Sequence, residues 1–438
     1  RQRQMCIRDS PFSHIHTMKS PCSPQSPVVL WLLPLIVSLY SFLWANAFSI
    51  SAQNPSTYSS ARTTDQQWQP HRNYARSWKR LRVLTWNVEN LFDTLHDDGF
   101  HDEEFLPLSQ RKWTSPRYWR KQGAIARTLV AAADLQPIDL IGLCEIENDS
   151  VIHHLCRRTR LARLGYEYLV THSRDQRGVD VALLYQPFTL SLIAHQYLRV
   201  PFDSLHERPT RDILHATFRA PRGDTLDVFL AHFPSRLGGA AHSSPYRERA
   251  ANLIAHTADS LLHLRLHPHL IALGDFNDEP SDLSIARVLS PYLYALTPHA
   301  TPYPVPSSQE HPRKSKASRS IDTNSSTTVH AKTPESFDNS SVMGTYFFRH
   351  QWNRIDQILV SHNFITEERP TSPPHDTRYA AKKNQFLTRP SCDVRIFAPS
   401  FLLECSKSGE LHPHRTYLGT YYHGGISDHL PLFADFWY

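Results

Sequence analysis

Short apolar runs, rich in branched and aromatic residues and bounded by turn formers, recur along the chain: "LRVLTWN", "DLIGLCEIE", "VDVALLYQP", "LDVFLAHFP", "HLIALGDFN", "RIDQILVS" and "LPLFADFWY". Runs of this length and composition predict strands. Two longer stretches carry helical spacing instead. "SPRYWRKQGAIARTLVAAAD" opens with Ser115 as N-cap and Pro116 at the first helical position, and places Ile125 and Leu129 four apart. "SPYRERAANLIAHTADSLLHL", from Ser244, sets Leu253, Ile254, Thr257, Ala258 and Leu261 along one face. Strands that end on polar residues, with helices between them, predict an α/β protein whose layers cover two sheets.

Three segments break this pattern. Met18 and Lys19 precede the apolar run 28–44, after which Ala45, Asn46 and Ala47 supply the small-x-small motif of a cleavage site. Residues 18–47 therefore read as a signal peptide, and export to the periplasm or the medium is expected. A membrane anchor through 28–44 is the alternative. Residues 1–17, upstream of a better start, read as an artefact. Residues 48–79, polar and without periodicity, read as a flexible lead-in to a domain spanning 80–438. The polar stretch 307–341, with a basic cluster at Arg313, Lys314, Lys316 and Arg319, reads as a disordered insertion, because strand-like runs resume after it.

Bulk composition changes the picture little. With 438 residues, 40% of them hydrophobic, one large domain or two ordinary ones are expected, and 14 glycines argue against a fibrous or repeat protein. Setting residues 1–47 aside lowers the formal net charge from +6 to +3, 43 Lys and Arg against 40 Asp and Glu. That is too mild to argue nucleic-acid binding from charge alone. Cys144, Cys156, Cys392 and Cys405 follow the leader in no zinc-like spacing; disulfides are permitted after export, and Cys144 within a strand run reads as a small buried hydrophobe.

The informative regularity lies where the strands stop. "LTWNVEN" ends on Asn87 and Glu89, "LCEIEND" on Glu145, "LAHFPSR" on His232, "LGDFND" on Asp275 and Asn277, "WNRIDQI" on Asp356, and "ISDHLPL" on Asp428 and His429. Singly, each is equally a cap or a turn former. Together they offer the carboxylate and amide oxygens that a hard cation such as Mg²⁺ prefers, with Glu145 the best single ligand and Asn87, Glu89 and Asp428 beside it. His232 and His429 can supply hydrogen bonds or protons to phosphoryl oxygens or a leaving group. Asp275 can orient or deprotonate an attacking water, Asn277 can hold a phosphate oxygen, and Asp356 can orient His429. Arg177 and Arg236 are candidate phosphate-binding cations, with solvated or ion-paired arginine the equal alternative.

In their order and spacing, "TWNVEN", "GLCEIEN", "HFPSR", "GDFND", "RIDQILVS" and "SDHLPL" resemble the endonuclease/exonuclease/phosphatase superfamily, which includes DNase I, exonuclease III and neutral sphingomyelinases. The resemblance covers residues 80–438 less the insertion, and "HFPSRLGG" is similar to an exported bacterial branch. It implies a DNase I-like, four-layer α/β/β/α sandwich of two mixed β-sheets flanked by helices, with a Mg²⁺-dependent site, or one using Mn²⁺ or Ca²⁺, at one end of the sheets. By motif, Asn87, Glu89 and Glu145 fall on the family's metal-binding strands, Glu89 where relatives vary. Asp275, Asn277 and His429 fall on its water- and phosphate-handling groups, and Asp428 on the acid before the last histidine. His232 stands where abasic-site endonucleases carry a tyrosine motif, so abasic-site repair is disfavoured. The expectation is an exported phosphoesterase acting by in-line attack of water, with nucleic acid the favoured substrate. A lipid or small phosphate ester is the alternative within the enzyme class. A metal-free binding module of the same fold is the non-enzyme alternative, whose signature would be loss of Glu145, Asp275 or His429.

Overall fold

In a computed structural model, residues 80–202, 208–220, 223–298, 342–364 and 393–437 are described, all within one compact unit, 74–438. The signal-peptide, lead-in and insertion readings, and Cys392, lie outside these residues.

The sheet strands are β1 (Arg80–Leu91), β2 (Leu140–Ile146), β3 (Glu167–Val170), β4 (Asp180–Tyr185), β5 (Ser191–Leu198), β6 (Ile213–Arg219), β7 (Thr225–His232), β8 (His269–Asp275) and β9 (Tyr294–Ala295). Two strands of a small hairpin follow, β10 (Tyr346–Phe348) and β11 (Gln351–Asn353), then β12 (Asp356–Val360) and β13 (Asp393–Ile396). Two further hairpins, β14 (Leu403–Cys405) with β15 (Leu411–Pro413) and β16 (Tyr417–Leu418) with β17 (Tyr421–Tyr422), precede β18 (Leu432–Trp437). The larger helices are α1 (Ser115–Ala133), α2 (Asp149–Arg158) and α3 (Ala240–Leu264).

Six strands make one sheet in the order β13-β18-β1-β2-β4-β3, and six make the other in the order β5-β6-β7-β8-β12-β9. Both are mixed. β1 runs parallel to β2 across α1, and β7 parallel to β8 across α3, while the other pairings within the two sheets are antiparallel. Parallel neighbours need a long crossover, and each helix supplies one.

The period-2 alternation of the strands sorts their side chains into three apolar layers. On β1, Leu84 and Trp86 pack with α1 residues such as Ile125 and Leu129. Leu81 and Val83 face the other way, against Leu230, Ile271, Leu273 and Ile358 of the second sheet. The outer face of that sheet, with Phe229, Leu270 and Ala272, is covered by Ala251, Ile254 and Ala258 of α3. Three layers of core between four layers of structure make the expected α/β/β/α sandwich. At Gly142 the two sheets approach so closely that a Cβ would lie 2.6 Å from a Leu230 methyl.

All seven expected strands form, but both helix starts differ from expectation. Thr114, not Ser115, is the N-cap residue of α1, with no side-chain cap bond, and Ser115 is already helical. α3 begins at Ala240, four residues before the expected start, and carries Pro245 inside. The buried Arg247 guanidinium holds this extra turn by donating to the Ala240 carbonyl at 2.9 Å and to Ser243 Oγ at 2.7 Å. Cys144 and Cys156 are both free and buried.

Candidate active site

The site forms where β1, β2, β7 and β8 end, at one edge of the layer between the sheets. Strand register assembles half of it. Across the second sheet His232 pairs with Asp275, and Asp275 with Asp356, so three sequence-distant groups stand in one row. Gly274 makes this row possible: its φ is +138°, and a Cβ there would fall 1.8 Å from the Ala231 carbonyl oxygen.

The first sheet contributes through irregularity. Register shifts between Asn87 and Leu91 on β1 and between Cys144 and Ile146 on β2 leave Glu89, Asn90 and Glu145 at positive φ. A bulge of this kind re-aims a side chain that regular pleating would turn away. Glu145 then faces the cavity, its Oε1 accepting from Asn87 Nδ2 at 3.3 Å and its Oε2 from the Asn90 backbone N–H at 2.8 Å.

Two strand ends and the loop before β18 close in the same way, with a side-chain oxygen accepting the backbone N–H two residues on. Asn87 Oδ1 takes Glu89 N–H at 2.9 Å, Asp275 Oδ1 takes Asn277 N–H at 2.9 Å, and Ser427 Oγ takes His429 N–H at 3.0 Å. These Asx- and Ser-type turns explain why short polar residues sit there. Ser427 also donates to the Asn87 carbonyl at 2.6 Å, and Trp86 Nε1 to the His429 carbonyl at 2.9 Å, which fastens the last loop to β1.

Asp275 Oδ2 is the centre of the group. Asn87 Nδ2 reaches it at 3.0 Å, with His232 Nε2 at 3.6 Å and His429 Nε2 at 3.9 Å. Burial, and then the neighbouring Asp356 carboxylate, push the Asp275 carboxyl up to about 7 against the pull of His429 and Asn87. His429 has the opposite balance. Burial disfavours its charged form, but Asp356, whose Oδ2 lies 2.8 Å from His429 Nδ1, and then Asp275 and Asp428 outweigh it and raise the imidazole to about 10. His232 is driven well below its ordinary value by burial and then by Arg211, Arg177 and His429, so it is neutral at physiological pH.

Asn87, Glu145, His232, Asp275, Asn277, Asp428 and His429 all line one cavity of about 700 Å³, together with Arg177 and Arg236. Asp356 sits behind His429. Glu89 is not among the cavity-lining residues. Its Oε2 accepts the Thr416 N–H at 2.6 Å, its Oε1 lies 3.7 Å from Arg415 Nε, and its backbone carbonyl accepts from the buried Lys121 ammonium. Burial, and then Asp428, lift the Glu89 carboxyl to about 7, while burial brings Lys121 down to about 8. Arg236 donates to the Asn277 carbonyl at 2.6 Å and to Asp282 at 2.5 Å, so it braces the turn after β8. Arg177 donates to Asn90 Oδ1 at 3.1 Å. Asp278 and Glu279 are structural: Asp278 pairs with Arg247 at 2.6 Å, and Glu279 accepts the Arg354 N–H at 2.8 Å.

Other residues of the site carried no motif. Arg211 is buried against Asp175 at 3.0 Å and the Phe233 carbonyl at 2.7 Å. The Tyr346 ring lies 4.7 Å from the His429 ring, tilted 32° to it, and Arg415 pairs with Asp428 at 2.5 Å. Their signal is tertiary: Arg211 meets an acid 36 residues away.

A sequence model described as the Endonuclease/Exonuclease/phosphatase family matches residues 82–294 and 336–436. The chain belongs to that family. As an Endonuclease/Exonuclease/phosphatase protein it is a hydrolase acting on phosphoester bonds. An endonuclease/exonuclease/phosphatase family protein from Bacteroides thetaiotaomicron is similar in structure, with 16% identity over 83% of this chain and 99% of that one and a TM-score of 0.43. A mannosyl-6-phosphatase of the same organism matches at 15% identity over 81% and 98%, with a TM-score of 0.42. The catalytic domain of human Nocturnin, solved with a sulfate anion, matches at 14% over 82% and 94%, with a TM-score of 0.41. No curated protein matches the chain.

The Endonuclease/Exonuclease/phosphatase family is generally dependent on divalent metal, and the donor set here fits a hard cation. Glu145 presents a carboxylate to the cavity beside the Asn87 amide, and Asp428, which also lines it, turns one carboxylate oxygen to Arg415.

Proposed function

We propose that the protein is an exported, Mg²⁺-dependent phosphodiesterase whose substrate is a nucleic-acid strand. The observation that carries the substrate class is a groove of about 670 Å³ that shares Arg177, Arg211, Ser235 and Leu237 with the catalytic cavity. Five arginines, Arg111, Arg177, Arg208, Arg211 and Arg249, line it against two acids, Glu104 and Asp175, and Tyr246 offers an aromatic face. A cationic track with an aromatic platform, leading away from the reacting centre, suits a polymer with a phosphate at every residue and a base to stack.

Glu145, with Asn87 and Asp428, would hold the Mg²⁺, which when bound supplies charge neutralisation at the scissile phosphate. The chain's own groups supply the rest. Asp275 Oδ2, near neutrality in its titration, takes a proton from water as the water oxygen bonds to phosphorus. The opposite P–O bond breaks in line, and the departing oxygen is protonated from solvent. The imidazolium of His429, kept charged by Asp356, donates from Nε2 to a phosphoryl oxygen, where negative charge grows. Neutral His232 and the Asn277 amide complete the polar wall.

Purified protein would be given single-stranded DNA, RNA, sphingomyelin vesicles, a sugar phosphate and bis(p-nitrophenyl) phosphate, with Mg²⁺ or EDTA. The reading expects the polymers to be preferred, and Arg177→Ala with Arg208→Ala to raise KM for them about tenfold or more while leaving the small diester unaffected. Preference for vesicles or for the sugar phosphate would overturn the substrate class. Mass measurement of the secreted chain tests export: a mature N-terminus at residue 48 is expected, and an intact leader in a cytoplasmic product contradicts it.

A further inference from the structure

A second group of ligand-type side chains lies outside the catalytic cavity. Glu404 of β14, His414 just after β15 and His423 just after β17 place one ligand atom each within 4.8 Å of one another. The backbone fixes both histidines, and Glu404 is paired with His412 in the β14/β15 ladder. His414 N–H donates to the Leu402 carbonyl at 2.8 Å, its carbonyl accepts Ile426 N–H at 2.7 Å, and His423 N–H donates to the Thr416 carbonyl at 2.9 Å. Gly425 passes so close that a Cβ would lie 2.0 Å from the His414 carbonyl oxygen.

The side chains converge without satisfying one another. Glu404 Oε2 meets His423 Nε2 at 2.5 Å, but Glu404 Oε1 is buried with no hydrogen-bond partner among the described residues, His412 Nδ1 lying 3.4 Å away. The His414 and His423 rings stand perpendicular with centroids 4.9 Å apart, so they do not stack. A buried carboxylate oxygen without a partner is costly unless something else coordinates it. His414 also lines a surface cleft of about 620 Å³.

We propose that Glu404, His414 and His423 form a transition-metal site selective for Zn²⁺ over Mg²⁺, distinct from the oxygen-rich catalytic centre. Two imidazole nitrogens and a carboxylate are a donor set for Zn²⁺, whereas Mg²⁺ prefers oxygen and retains its water. His412 Nδ1 lies beside the second carboxylate oxygen but is hydrogen-bonded to the Pro413 carbonyl at 3.2 Å, so it is not counted in the set. The site would pin the β14/β15 and β16/β17 hairpins to each other. The residue after His414 is Arg415, which reaches Asp428 at 2.5 Å, so the ion would brace the catalytic loop from behind.

The test uses the full chain, stripped with chelator and titrated with Co²⁺ in a Glu145→Gln background that weakens the catalytic oxygen site. One equivalent is expected to bind with the intense visible absorption of a low-symmetry nitrogen-oxygen site, and Zn²⁺ should displace it while Mg²⁺ does not. Adding His423→Gln or the near-isosteric Glu404→Gln should abolish the band and lower Zn²⁺ affinity at least tenfold, with circular dichroism unchanged. Zn²⁺ should also raise the Tm of the parent but not of the Glu404→Gln protein. Absence of the band in the parent, or an identical band and stoichiometry after Glu404→Gln, would overturn the site.

Discussion

His429 Nδ1 lies 2.8 Å from Asp356 Oδ2, and this bond joins the end of β12 in one sheet to the loop that enters β18 in the other. It fixes the ring and keeps its charge. With Asp356→Asn the imidazole loses the acid that raises it to about 10 and falls toward its ordinary range. Turnover is expected to drop by about 10²-fold, a usual loss for an oriented charged donor, and the alkaline limb of the rate profile to move down by more than one pH unit. Steady-state kinetics across pH 5–11 provide the check, and an unmoved limb would exclude this role for Asp356.

The acid limb belongs to Asp275. Below about 7 the carboxyl is protonated and cannot accept a proton from water, so the rate should fall about tenfold per pH unit on that side and level off above it. The same shift has a stability consequence of fixed sign. A carboxyl raised from 3.8 to about 7 in the folded state adds stability only while protonated, and that contribution is lost as pH rises through about 7. Asp275→Asn in EDTA should therefore gain stability over the parent as pH goes from 5 to 8, on the order of 2 kcal/mol at the upper end. Thermal melts at the two pH values measure this, and a variant that loses ground with rising pH would contradict it.

Arg415 stands between two acids, 2.5 Å from Asp428 and 3.7 Å from Glu89. Arg415→Met leaves the buried Glu89 with Lys121 as its remaining nearby cation, and with Asp428 now uncompensated beside it. A loss of about 1–3 kcal/mol is expected, below the range for a fully buried pair because Arg415 is partly exposed. The loss should be larger at pH 8 than at pH 6, since Glu89 must then be ionised. Urea unfolding at both values decides it.

Much of this site could be read from the strand ends. Asn87, Glu145, His232, Asp275 and Asn277 are marked by polar residues where an apolar run stops, Asp428 and His429 by polar residues just before one. Two βαβ crossovers bring four strand ends to one edge, and antiparallel β18 begins beside the end of β1. Glu89 belonged to the same pattern, but the bulge after Asn87 carries it toward Thr416 and Arg415. Arg211, Tyr346 and Arg415 were illegible for a common reason: they lie in connections or short hairpins without periodicity, and their roles come from contacts made across the fold. Of the two sheets, β3, β5, β6, β9 and β13 are not among the expected strands; β5 lacks the apolar run that marks a buried strand because most of its side chains are exposed. The start of α3 was misplaced because Pro245 mimics a first-turn proline, whereas the Arg247 contacts that sustain the earlier turn are invisible in a linear pattern.

Two glycines separate backbone from side-chain crowding. Gly274→Ala puts a Cβ 1.8 Å from a backbone oxygen at a φ of +138°, with no side chain able to yield, so loss of more than about 4 kcal/mol or failure to accumulate as soluble protein is expected. Gly142→Ala meets only the tips of Leu230 and Leu273, at 2.6 and 2.9 Å, and should lose about 1–3 kcal/mol. Chemical unfolding of both variants checks the order, and equal losses would contradict it.

Under the proposed mechanism Asp275 deprotonates the water that cleaves a nucleic-acid phosphodiester. The most direct test is kcat/KM on a single-stranded oligonucleotide in Mg²⁺ for the parent and Asp275→Asn, with EDTA controls. A loss of about 10³-fold or more is expected in the variant, with the acid limb near pH 7 gone from whatever activity remains and no cleavage in EDTA. Undiminished cleavage by Asp275→Asn, or a residual rate that still titrates near pH 7, would contradict it.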